Sequence, residues 1–136
     1  MPDFHHDRLI VYRKAVAFFA VAAKIIPAIA PTYGFLRDQL GRAATSIAFN
    51  IAEGSAEFSK PEKTRFYRMS RRSAAECAAI LDALEVIGCR ETARITTGRE
   101  LLHEVIAMLT AMTRPQGKQA LDPKLDDDAA AVPPEP

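Results

Sequence analysis

The chemistry this chain can offer is concentrated in one run of cations. Lys60, Lys63, Arg65, Arg68, Arg71 and Arg72 fall within thirteen positions, with Glu62 the one carboxylate among them. At helical spacing Lys60, Lys63 and Arg71 line one side with Arg68 beside them, and Arg65, Arg68 and Arg72 make an adjoining row. Such a surface suits phosphate, because each phosphate neutralised releases counterions and makes binding salt-dependent. Tyr67 stands within the run as a stacking group. The plainer reading is a solvated helix face with ion pairs such as Arg72–Glu76 at i, i+4. In an oligomer, symmetry would repeat the patch and sum its field.

A second constellation is polar. Gln39, Arg42, Ser46, Asn50 and Glu53 recur at intervals of three and four, which is one stripe of a helix. We read it as a structural hydrogen-bond network that fixes helix register, since polar groups buried in a bundle must be paired. Glu100-Leu101-Leu102-His103 offers Glu-x-x-His, half of the signature that binds two irons in a bundle. The chain holds no second such pair, so no metal site is expected and a metal-dependent bundle enzyme is only a remote alternative. His5-His6 reads as a mobile terminus. Cys77 and Cys89 lie at or near the two ends of one predicted helix, about 18 Å apart along its axis, too far for a disulfide, and two free thiols suit a reducing compartment. There is no P-loop, no G-x-S-x-G and no acid/base pair, so no residue reads as catalytic and no cofactor is implied.

The elements that must position these groups are helices. Residues 7–29 carry two apolar stripes, Leu9, Tyr12, Val16, Phe19, Ala23 and Ile26 beside Val11, Ala15, Phe18, Ala22, Ile25 and Ile29. Two stripes are more than three neighbouring helices should cover, and Val11, Ala15, Phe18, Ala22 and Ile25 are the expected face between subunits. Residues 34–53 form a second helix with Gly54 expected just past its end, where a left-handed conformation is cheap. A third runs over 60–87, opened by the capping box Ser59-Lys60-Pro61-Glu62 and ended by Gly88, with Phe66, Met69, Ser73, Cys77, Ile80, Leu84 and Ile87 as its core face. A fourth covers 97–113, up to Pro115. Short connections between four helices predict an all-α, up-down antiparallel four-helix bundle over residues 1–114.

The 136 residues, 49% hydrophobic and 26% charged, suit one domain with an ordinary core. No stretch approaches the length needed to span a bilayer, and the first residues do not read as a secretory signal. The net charge of +1 divides unevenly. Residues 1–114 carry 16 basic and 12 acidic side chains, and residues 115–136 carry 2 and 5. The second segment also holds five of the nine prolines and reads as a mostly disordered acidic tail.

Within the second helix, Tyr33-Gly34, Gln39, Arg42-Ala43-Ala44, Ser46-Ile47 and Asn50-Ile51-Ala52-Glu53-Gly54 follow in outline the pattern YGL-x-x-Q-hydrophobic-x-RAA-x-SI-x-x-NIAEG, with one more residue before Gln39. Further along, Arg65, Phe66, Ser73 and Glu76 fit an Arg-Phe pair and a small-residue and Glu segment. Over about residues 8–112 the chain resembles the four-helix bundle proteins encoded by intervening sequences of 23S ribosomal RNA genes. It departs at Phe35, where Leu is common, and at Gly41-Arg42, where two basic residues often stand. The resemblance implies a cytoplasmic bacterial bundle assembling as a homopentamer. It also links the chain to the accessory variability determinants of diversity-generating retroelements, whose basic pentamers bind nucleic acid and a reverse transcriptase. The expected function is therefore a non-enzymatic homo-oligomer that binds RNA, DNA or a nucleic-acid enzyme as an accessory factor. The alternative is a protein–protein scaffold.

Overall fold

Apolar residues recurring every three or four positions pull four helices around one core. A computed structural model describes residues 4–115, with α1 at Ile10–Ile25, α2 at Gly34–Ala56, α3 at Lys60–Val86 and α4 at Thr92–Met112. No strand occurs among the described residues. α1 packs on α2 and α4, α3 packs on the same two, and the diagonal pairs do not meet. That ring of neighbours is an up-down four-helix bundle. Of the expected tail, residues 116–136 lie outside the described residues.

α1 is shorter at both ends than its periodicity suggests. It is preceded by a 3₁₀ turn at His5–Arg8, and after Ile25 the chain tightens into a second one at Ile26–Ala28. Pro27, which has no N–H to give the helix, accounts for the change. A further 3₁₀ turn at Pro31–Tyr33 leads into α2. Arg37 fastens this connection: its Nε donates to the carbonyl of Ile29 at 2.8 Å, and the Ile29 side chain is buried.

One of the two α1 stripes does not take the role expected of it. Val11, Ala15, Phe18, Ala22 and Ile25 are not a face between subunits; all five are buried in the chain's own core, with Phe18 at 0% exposure. α1 lies in the seam between α2 and α4, and this stripe fills it. The outward stripe contains Val16 and Phe19, exposed at 40% and 45%. Periodicity shows that two faces are apolar, but both carry similar side chains and nothing in the spacing tells which one the bundle takes.

α2 runs through Gly54 to Ala56, so Gly54 is not a left-handed cap. The terminal carbonyls that such a cap would satisfy have other partners. Lys63 Nζ donates to the carbonyl of Ser55 at 3.0 Å and reaches that of Gly54 at 3.5 Å, and a cation there also suits the helix dipole. Gly54 serves packing instead: a Cβ would lie 2.8 Å from Cε1 of Tyr67 and 3.0 Å from Cβ of Phe66.

That close approach sets the register of α3. Ser59 caps it, its Oγ accepting from the Glu62 N–H at 3.2 Å, while the Glu62 carboxylate turns to Arg65 instead of closing the box. The first half of the core face is Tyr67, Ser70 and Ala74, one position away from the expected Phe66, Met69 and Ser73. Ser70 and Ala74 are small enough for α2 to come near, and Ser70 Oγ donates to the Ile47 carbonyl at 2.8 Å. From Cys77 through Ile80 to Leu84 expectation and structure coincide. Gly88, at φ +79°, supplies the left-handed residue that ends α3.

α4 begins at Thr92, one turn before the expected 97. The added turn puts Ile95 at 0% exposure. Gly98 lies against Phe18, where a Cβ would sit 3.2 Å from the ring edge. Burial of Ile95 offsets the poor helix propensity of a Thr- and Gly-containing start.

Candidate nucleic-acid interface

The first half of α3 and the last turn of α4 border a groove of about 750 Å³. Lys60, Arg65, Arg68 and Arg72 line its α3 side, Arg114 and Pro115 close the α4 side, and Met69 and Met112 form part of the floor. Four of the six cations singled out in the sequence thus meet at one surface.

They are not equivalent. Arg65 Nη2 donates to Glu62 Oε1 at 3.0 Å, and its guanidinium lies 4.5 Å from the centre of the Phe66 ring. The hydrogen bond to Glu62, and then the charge of that carboxylate, hold the Arg65 guanidinium above its ordinary pKa. Lys60, Arg68 and Arg72 are exposed and have no ion-pair partner among the described residues; the expected Arg72–Glu76 pair does not form.

Lys63 and Arg71 are drawn away from the groove. Lys63 is held by the carbonyls at the end of α2. Arg71 Nη1 donates to the hydroxyls of Thr113 at 3.2 Å and Thr110 at 3.5 Å, tying α3 to α4. Tyr67 does not serve as a stacking group, being 7% exposed, and burial pushes its phenol pKa up.

Arg114 is the groove residue that the sequence did not mark. It stands alone at the end of the last helix, and only the bundle brings it beside α3. Among the described residues its Nε is buried with no hydrogen-bond partner. A buried guanidinium donor left without a partner is costly.

The polar stripe of α2 divides. Asn50 Nδ2 donates to the carbonyl and to the Oγ of Ser46, both at 2.9 Å, and Ser73 Oγ donates to Ser46 Oγ at 2.8 Å. These three form a network between α2 and α3. Gln39, Arg42 and Glu53 are exposed and stand outside it. Glu100 and His103 are both exposed on α4, and among the described residues no group of three or more His, Cys, Asp or Glu is placed to hold a metal. His6 is half-buried, its ring 4.5 Å from that of Tyr12. Cys77 is buried and Cys89 half-buried, both as free thiols. Burial, with a smaller contribution from Glu76, pushes the Cys77 thiol pKa up to about 12.

Fold and groove together define an up-down helical bundle with one concentrated cationic face. Residues 7–111 match the family model of the 23S rRNA-intervening sequence protein, and the chain belongs to that family. Comparison with the curated proteins finds no match. No helix among the described residues is long and apolar enough to cross a membrane.

Proposed function

We propose that the protein is a non-enzymatic, cytoplasmic accessory factor that assembles as a homopentamer and binds single-stranded or structured nucleic acid through the α3–α4 groove. The observation that carries the proposal is the state of its cations. Arg68 and Arg72, about 6 Å apart along the helix axis, are exposed and unpaired among the described residues, and they face the groove with Arg114. Side chains that stabilise nothing in the bundle are available to phosphate.

Self-association is supported by the outward stripe of α1, where Val16 and Phe19 stand among the exposed alanines Ala17, Ala20 and Ala23. A charge-poor apolar helix face of this kind is what subunit interfaces cover. The number five comes from the family resemblance, and the cytoplasmic location from the free thiols.

The scaffold reading has its own support in Phe35, Phe49 and Phe58, exposed at 63%, 65% and 102%. Light-scattering mass on a size-exclusion column, at low and moderate salt, with and without a mixed DNA and RNA pool, separates the two. A salt-stable pentamer with salt-sensitive co-elution of nucleic acid is the expected result. A pentamer that ignores nucleic acid at low salt transfers the function to protein contact, and a monomer removes the assembly.

A further inference from the structure

The described chain leaves the bundle at Arg114 and Pro115, and both residues line the cationic groove. The sequence beyond them carries Lys118 and Lys124 against Asp122, Asp126, Asp127, Asp128 and Glu135. We infer that the acidic segment Asp126-Asp127-Asp128 docks into the chain's own α3–α4 groove and competes there with polyanions. This rests on the reading of the groove as a polyanion site.

Three features support the inference. The first is reach. Asp126 lies eleven positions after Pro115, a stretch that spans up to about 36 Å when extended, whereas Lys60 to Arg72 covers only about 18 Å of helix. The second is complementarity. In an extended segment, Asp126 and Asp128 would stand about 6.6 Å apart on one side, close to the ~6 Å axial offset of Arg68 and Arg72. The third is proximity. A tether this short holds its charge at an effective concentration of order millimolar, so even weak ion pairs compete with a free ligand. The segment would act as a built-in threshold. Short or weakly charged anions would be kept out, and a nucleic acid with many phosphates would displace it.

The test uses the full chain. A nitroxide is attached through Ala129→Cys in a Cys89→Ser background, with Cys77 protected by burial, and the amide signals of Arg68 and Arg72 are followed by NMR. In parallel, the affinity for fluorescein-labelled oligo-dT is measured by anisotropy for the natural sequence and for Asp126→Asn/Asp127→Asn/Asp128→Asn. Docking predicts that the label broadens both arginine signals, and that the three Asn substitutions or high salt remove the broadening. The same substitutions tighten oligo-dT binding by about three- to tenfold at low salt, the range expected of a few exposed ion pairs, and the gain shrinks as salt rises. Absence of broadening overturns the inference whatever the affinities do. Equal affinities for a bound oligonucleotide overturn it too, and leave the groove reading intact. Broadening with no oligonucleotide binding by either chain upholds the docked tail and refutes the nucleic-acid reading.

Discussion

Gly54 on α2 faces the ring of Tyr67 on α3 with no room for a methyl group between them: a Cβ would come within 2.8 Å of the ring. This contact joins the end of one helix to the start of the groove-bearing segment of the next. Gly54→Ala is therefore expected to destabilise the bundle. Overpacking of this kind costs about 1–3 kcal/mol, more than the ~1 kcal/mol gained from better helix propensity. Urea denaturation measures the difference, and the loss should shrink in a Tyr67→Leu background. An unchanged midpoint would mean that α2 and α3 do not meet as described.

The two faces of α1 should respond oppositely. Phe18→Ala empties a core site and is expected to cost about 3–5 kcal/mol. Phe19→Glu, on the outward stripe, should leave the chain folded by circular dichroism while lowering the mass seen by light scattering. A folded Phe19→Glu chain of undiminished mass would refute this stripe as a face for self-association.

The basic cluster divides into cations that hold the fold and cations that do not. Lys63→Ala and Arg71→Ala each remove a charged donor from partly buried acceptors and should lower stability by about 1 kcal/mol. Arg68→Ser and Arg72→Ser should leave stability within ~0.5 kcal/mol. On a single-stranded oligonucleotide each should reduce the slope of log affinity against log salt by about 0.7. Equal slopes for all four variants would refute the division.

Stability should fall on the alkaline side in a way that depends on Cys77. The folded thiol titrates at about 12 against an ordinary value of 9.0, so the unfolded chain loses this proton first. The stabilisation is fully present below pH 9.0 and is lost progressively as pH rises toward about 12. Buried Tyr67, raised in the same direction, adds to the loss. Denaturant melts at a series of alkaline pH values should show a shallower decline for Cys77→Ala than for the natural sequence. Parallel declines would remove the thiol as a cause.

The four helices and their order were legible because each carries strong apolar periodicity and Pro or Gly near its boundaries. What the sequence left open was rotation. The two α1 stripes are chemically alike, and the α3 face slips by one position between Phe66 and Tyr67, because a serine and an alanine, not large apolar residues, mark the true contact with α2. The groove was half legible. Lys60, Arg65, Arg68 and Arg72 were visible as a cluster, but Lys63 and Arg71 look the same in sequence and differ only in which carbonyl or hydroxyl tertiary packing brings near. Arg114 lies far along the chain, and no local pattern could have joined it to α3.

Among the described residues Arg68 and Arg72 tie no helix to another, whereas Lys63 and Arg71 fasten α3 to its neighbours. The bundle's architecture and the unpaired charge of its groove therefore reside in different side chains of one helix. Descendants of this sequence can reverse, dilute or enlarge the charge of the groove while keeping the same bundle, so a shared fold within the family need not entail a shared ligand.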